Sequence, residues 1–136
     1  MLSWQECLEQ GIITHRMPDL ERSRKLILMA DLRLEFWNKT IKEKFLSLKV
    51  EAYYEVIKDL IFARLHREGY NCSNHLCLIS YLKQTMNDFD FEIHKIDELR
   101  KIRNEISYRG FTIKKDYFDR NESHLKAIIS HIRINP

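Results

Sequence analysis

The chain has 136 residues, of which 44% are hydrophobic and 32% are charged, and a formal net charge of +3. This size and composition predict a single globular domain over residues 1–136, and so small a net charge does not by itself indicate a nucleic-acid-binding protein. No apolar run approaches the roughly 18 residues of a membrane span, and the acidic N-terminal segment lacks the positive charge of a signal peptide. We therefore expect a soluble cytoplasmic protein without a membrane partner.

The helix signals begin at the N-terminus. The segment Ser3–Glu6 has the form of a capping box, and Gly11 predicts the end of a short first helix. Asp19 is a good N-cap for a long second helix that runs toward Asn38. The centre of this helix, LILMADLRLEFW, is apolar on most sides, which predicts that it packs against neighbours on more than one face.

Four further helices follow. The third spans about 45–68 and stops at Gly69, and the fourth, capped by Ser73 or Asn74, runs to about residue 85. A fifth helix begins at a cap on Asp90 and ends near Gly110, and the last spans about 114–132. Since only 3 Gly and 2 Pro are present and the connectors are short, we expect an all-α fold: an antiparallel bundle of four or five helices with a short N-terminal helix.

The cysteines indicate a reducing compartment. Three cysteines cannot form a disulfide framework, so we expect free thiols, with Cys77 buried between two leucines. Cys72, His75 and Cys77 lie close together in the sequence, but this spacing lacks the second ligand pair of a structural zinc site. We expect neither a metal nor another cofactor.

The segment LRKIRNEISYRGF carries the most chemistry in the sequence. Arg103 lies at the edge of the apolar stripe of the fifth helix, so its guanidinium needs an acid, backbone carbonyls or a phosphate as partner. Residues 95–115 carry a net charge of +4, which attracts phosphate, although a solvated helix face of mixed charge is the commoner origin of such a run. The candidate phosphate-binding residues are Arg100, Lys101, Arg103 and Arg109.

The order of segments from residue 45 to residue 132 resembles the HEPN superfamily of helical proteins. The resemblance is carried by KVEAYYEVIKDLIFARLHREGYNCSNHLCLISYL followed by IDELRKIRNEISYRGF. Members share an aromatic-rich helix, a Gly-Tyr turn with a nearby Ser and His, a short aliphatic helix, and a helix that ends in Arg-Asn-x-x-x-His. This resemblance implies a helical bundle, usually a homodimer, in which the motif helices of two subunits meet at one cleft.

Active HEPN members are metal-independent ribonucleases, often toxins paired with a minimal nucleotidyltransferase. In such a site, histidine moves protons and arginine stabilises the phosphate. By this resemblance Arg103 is the motif arginine and Asn104 the polar residue after it, and Tyr108 stands where the motif histidine is expected. Phenols ionise near pH 10, so a tyrosine is a poor general base. His75 matches a histidine often found in the family at the start of the fourth helix, where capping is a sufficient role.

These residues leave three functions open. The first is a weakly catalytic or non-catalytic module that binds RNA or a nucleotide, or that serves as partner of a nucleotidyltransferase. The second is a working ribonuclease toxin in which Tyr108 replaces histidine as an acid or hydrogen-bond donor. The third is a purely structural helical dimer with Arg103 paired internally. We favour the first, because Arg103 and the basic segment remain while the motif histidine does not.

Overall fold

The protein is an all-α helical bundle. The computed structural model describes residues 2–40 and 42–134. Within these ranges the helices, numbered in chain order, are α1 (Trp4–Glu9), α2 (Leu20–Trp37), α3 (Leu46–Glu68), α4 (Leu78–Thr85), α5 (Asp90–Arg109) and α6 (Lys115–Ile132). The expected fold class is confirmed, and each expected helix lies within a few residues of its expected place.

Local capping explains some of the helix ends. Ser3 accepts a hydrogen bond from the Glu6 amide, and Asp19 accepts one from the Arg22 amide, as their sequence contexts predicted. α3 ends at Gly69, whose φ of 85° is in the left-handed region. The expected cap on Asp90 is wrong, because Asp90 is already the first residue of α5 and makes no capping bond there.

A short strand pair links the N-terminal segment to the end of α3. Strand β1 (Ile13–His15) pairs antiparallel with β2 (Tyr70–Cys72), with Ile13 opposite Cys72. The turn at Gly69 brings the backbones unusually close, because a Cβ at this position would lie 2.6 Å from the carbonyl oxygen of Arg16. Glycine is therefore required here by both its positive φ and the lack of space.

The core is built around α3. The α3 residues that recur at the i, i+3, i+4, i+7, i+8 spacing of an amphipathic helix are all buried, and they are Tyr53, Val56, Ile57, Leu60 and Ile61. α2 runs antiparallel to α3, since Ser23 near the start of α2 donates to the carbonyl of Ala63 and Arg33, further along α2, pairs with Asp59. Helices α4, α5 and α6 cover other sides of α3.

The prediction that α2 packs on more than one face is not met among the described residues of the single chain. α2 buries a single row of side chains against α3, namely Ser23, Ile27 and Ala30. Leu28, Leu32 and Phe36 lie on the opposite side and are 59%, 49% and 73% exposed. In the part of the chain that the structure describes, this apolar surface therefore faces outward.

The expectation of three free thiols is also wrong. Cys7 of α1 and Cys77, just before α4, form a disulfide across a sequence separation of 70 residues. The packing of α1 against α4 brings both sulfurs into the same fully buried position, which the sequence spacing does not reveal. Cys72 is a free thiol, and burial raises its pKa above the ordinary value.

None of the described helices is both long and apolar enough to cross a membrane.

Candidate functional site

An open cleft of about 680 Å³ lies where α5 passes the segment that leads into α4. We call it the α4–α5 cleft. Its walls come from α5, from the turn before α4, from α3 and from the N-terminal segment, and its lining residues are Leu2, Tyr54, Asn74, His75, Leu76, Ile79, Asp97, Arg100, Lys101, Arg103, Asn104 and Tyr108.

Five of the six candidate residues from the sequence line this cleft. They are Arg100, Lys101, Arg103, Asn104 and Tyr108. Arg109 is not among the lining residues; it is 76% exposed and lies 3.6 Å from Glu105 one turn earlier on α5. The structure thus gathers the motif positions at one surface and places Arg109 outside it.

The side chain of Arg103 bridges from α5 to α3. Its Nη2 lies 3.4 Å from Oε1 of Glu55, and its guanidinium sits 5.6 Å from the ring centroid of the buried Tyr54. The contact with Glu55 is at the long end of the hydrogen-bond range, which makes it a weak bond. Arg103 is about one-third exposed (32%), so the guanidinium is held in place yet open to the cleft.

The carboxylate of Glu55 has a second and closer cation. Lys58, one turn further along α3, lies 2.5 Å from Oε2 of Glu55. Glu55 would therefore keep a partner if the guanidinium of Arg103 turned toward a ligand. This arrangement differs from a buried ion pair in which each charge depends on the other.

Arg100 and Lys101 share the carboxylate of Asp97. Arg100 lies 2.9 Å and Lys101 3.4 Å from its oxygens. Burial raises the pKa of Asp97, but the hydrogen bonds and positive charges of Arg100 and Lys101 together outweigh this and hold the pKa below its ordinary value. With Asp97 ionised and His75 neutral, the lining of the cleft carries three cations and one anion, a net charge of +2. The cleft therefore attracts anions.

Tyr108 stands at the outer rim of the cleft. It is 80% exposed, and α5 ends just after it at Gly110, whose φ is 65°. On a straight helix, positions 103 and 108 point about 140° apart, so their side chains do not converge on one point unless the helix bends or a second chain contributes. α5 continues to Arg109 without a break, and the cleft is wide enough to reach both the half-buried Arg103 and the exposed Tyr108.

His75 is the functional candidate that sequence reasoning underrated. The Asn74 side chain caps the turn before α4 by accepting from the Leu76 amide at 2.9 Å, and this leaves the adjacent imidazole in the cleft. Phe62 packs edge-on against the imidazole with the ring centroids 6.2 Å apart. Burial first, and then the charge of Lys58, lower the pKa of His75 below its ordinary value of 6.5.

A neutral imidazole is the form that accepts a proton, so His75 could serve as a base at neutral pH. The cap by Asn74 could be predicted from the sequence. The proximity of His75 to Arg103 could not, because it depends on how α4 packs beside α5. Two other histidines near the motif in the sequence, His94 on α5 and His124 on α6, do not line the cleft; His124 instead contacts Phe91.

The cysteine–histidine cluster does not form a metal site in this structure. The sulfur of Cys77 is bonded to Cys7 and cannot act as a thiolate ligand. Among the described residues, no three His, Cys, Asp or Glu side chains come together in a way that could hold a metal ion.

Comparison with known proteins gave no match: no family model matches the sequence, and no curated protein or solved structure is significantly similar to it.

Proposed function

We propose that this protein is an RNA- or nucleotide-binding module of the HEPN type, and that the α4–α5 cleft holds the phosphate groups of its ligand. The observation that supports the proposal best is the convergence of Arg100, Lys101 and Arg103 on one open cleft. Guanidinium groups bind phosphate oxygens in a bidentate manner, and lysine adds a further positive charge. Asn104, at the same surface, offers both a donor and an acceptor for a sugar or a base.

The partial burial of these cations favours a ligand-binding site over a helix face whose charges contact only solvent. Arg100 and Arg103 are 35% and 32% exposed, so each has already lost part of its hydration. The acid that contacts Arg103 is shared with Lys58, which lowers the cost of releasing the guanidinium to a ligand. A structural dimer with no ligand would not require three cations to converge on one open surface.

Binding to a short single-stranded RNA, measured by calorimetry over a range of salt concentrations, tests this proposal. We expect that affinity falls as salt rises and that the double variant Arg100→Ala/Lys101→Ala binds at least about tenfold more weakly, since each lost charge-assisted bond costs roughly 1 to 3 kcal/mol. Arg109→Ala is the matched control, because Arg109 lies on the same helix outside the cleft. Equal loss in both variants would mean that the cleft is not the binding site.

A second function, metal-independent cleavage of RNA, is favoured by the position of His75. Neutral His75 would take the proton of a ribose 2′-hydroxyl, and the 2′-oxygen would attack the adjacent phosphorus while Arg103 stabilises the negative charge that develops there. The bond from phosphorus to the 5′-oxygen would break, and the phenol of Tyr108 would protonate the departing oxygen. The products would be a 2′,3′-cyclic phosphate and a free 5′-hydroxyl, with the proton on His75 later returned to Tyr108 through solvent.

Incubation of the protein with RNA in the presence of a chelator tests this second function. If the protein cleaves RNA, we expect His75→Gln to abolish cleavage while leaving RNA affinity at neutral pH within about twofold, because the imidazole is then uncharged. Cleavage that survives His75→Gln would show that the imidazole is not the base.

A minimal nucleotidyltransferase partner and a cytoplasmic location remain part of the proposal. Both rest on the HEPN resemblance. The disulfide between Cys7 and Cys77 removes the argument for a reducing compartment that the cysteines had offered.

A further inference from the structure

The outward side of α2 carries an apolar stripe with charges at both ends. Leu28, Leu32 and Phe36 recur at a spacing of four residues and are about half or more exposed. At 100° per residue, all three lie within about 40° of Leu32 around the helix. An exposed apolar stripe of this length on a helix marks a surface that another molecule covers. We call it the outer stripe of α2.

The charges beside the outer stripe are arranged with opposite signs about its centre. In chain order, Glu21 and Arg24 come before the centre of the stripe, and Glu35 and Lys39 come after it. All four are exposed. Position 30 is the midpoint, because Glu21 and Lys39 are equidistant from it and Arg24 and Glu35 are nearly so.

We propose that the outer stripe of α2 binds the same stripe of a second copy of this chain, with the two helices antiparallel. A twofold axis beside position 30 places Leu28 against Leu32 of the other copy. The same axis places Arg24 next to Glu35, and it places Glu21, which also pairs with Lys25 of its own chain, next to Lys39, so that both contacts join opposite charges. This surface is separate from the α4–α5 cleft, so the proposed contact is distinct from the meeting of motif helices that the HEPN resemblance implies, and it does not rest on phosphate binding.

The geometry around the helix supports this pairing. Arg24 and Glu35 lie on the same flank of the stripe, about 80° and 60° from Leu32. Across an antiparallel twofold contact, residues on the same flank face each other. In a parallel arrangement Arg24 of one copy and Glu35 of the other would lie 11 residues apart along the helices, about 16 Å, and could not pair. Neither residue takes part in an ion pair within the described chain, so both are available.

Sedimentation equilibrium at micromolar concentration, on the full chain, is the first test. We expect a dimer that Leu28→Glu dissociates, with a dissociation constant at least about tenfold higher, because each dimer would bury two new charges in an apolar contact. Leu76→Glu is the matched control: Leu76 is 61% exposed against 59% for Leu28, but it lines the α4–α5 cleft. A wild-type monomer, or a dimer that only Leu76→Glu dissociates, would overturn the proposal.

A charge exchange provides the second test and identifies the pairing. Arg24→Glu and Glu35→Arg should each weaken the dimer about tenfold or more, and the double variant should restore it to within about threefold of the wild type. The melting temperature of each variant, measured at a concentration where the wild type is monomeric, shows that the fold is intact. Failure of the double variant to restore a dimer that both single variants weaken would refute the antiparallel register.

Discussion

Arg103 on α5 and Glu55 on α3 form a long, partly exposed ion pair across the floor of the α4–α5 cleft, with 3.4 Å between Nη2 and Oε1. Two interpretations of Arg103 were open from the sequence, an internally paired structural residue and a ligand-binding residue. The structure shows features of both, since the acid is present but is also held by Lys58. Stability and affinity, measured on one variant, separate the two roles.

Arg103→Ala should weaken RNA binding by about 1 to 3 kcal/mol, the scale of a charge-assisted hydrogen bond. It should lower the free energy of unfolding by less than about 1 kcal/mol, because the pair is partly exposed and Glu55 keeps Lys58 as a partner. Calorimetric titration and urea denaturation measure the two quantities. A loss of 3 kcal/mol or more in stability with unchanged affinity is the result that buried ion pairs give, and it would assign Arg103 to a structural role.

Tyr108→His should increase RNA cleavage in chelator above the level of the unmodified protein. An imidazole at this position would be a second group that moves protons near neutral pH, a contribution typically worth about 10² to 10⁴ in rate. Because Tyr108 is largely exposed, the substitution should leave the fold unchanged. Strong cleavage by the unmodified protein that Tyr108→Phe abolishes would instead make the phenol catalytic and contradict the favoured binding-module function.

The affinity for single-stranded RNA should rise as the pH falls from 7.5 to 5.5. The pKa of His75 is lowered by burial and by Lys58, so the imidazole is neutral at pH 7 and gains its charge only below the ordinary value of 6.5. Phosphodiesters keep one negative charge across this range, and the added cation should strengthen binding by up to about tenfold. Fluorescence anisotropy across this pH range measures the change.

His75→Gln should flatten that pH profile while leaving the affinity at pH 7.5 nearly unchanged. In the absence of ligand, the stability of the fold changes with pH in the direction opposite to the RNA affinity. Since the folded pKa of His75 is depressed, the unfolded chain binds the proton more readily, and the melting temperature should fall as the pH drops below about 6.5. An RNA affinity that rises equally in the glutamine variant would exclude His75 as the group that titrates.

Reduction of the disulfide should lower the free energy of unfolding by about 2 to 4 kcal/mol, the usual contribution of a bond that closes a long loop. The bond joins positions 70 residues apart, and both cysteines are fully buried. Urea denaturation with and without a reductant measures the difference. Cys72→Ala should keep this difference, whereas Cys7→Ala should remove it. A wild-type protein whose stability is indifferent to reductant would show that the bond is not formed in solution.

The helices were predictable because their signals are local. The caps at Ser3 and Asp19 and the stop at Gly69 each depend on residues within a few positions of the helix end. The core of α3 was predictable for a similar reason, since burial on one helix repeats with the period of the helix.

What the sequence did not reveal depends on contacts between distant segments. The pairing of β1 with β2 and the bond between Cys7 and Cys77 join residues more than 50 positions apart. The exposure of the outward side of α2 was missed for the same reason. An apolar helix surface predicts a neighbour, but it does not indicate whether that neighbour belongs to the same chain.

The candidate site was predicted where it follows one helix. Six positions of α5 were identified from their residue types and from the HEPN resemblance, and five of them line the cleft while Arg109 does not. His75 and Glu55 come from other elements, and only the packing of α3, α4 and α5 brings them to Arg103.

The disulfide also makes part of the molecule topologically closed. The ring from Cys7 to Cys77 contains the whole of α2 and α3, while α4, α5 and α6 extend from it as a tail. A protease that cuts once in the exposed turn at Lys39 would therefore open the ring without dividing the molecule. The two polypeptides would migrate together on a non-reducing gel and separate only after reduction, so an apparently intact band does not prove an unbroken chain.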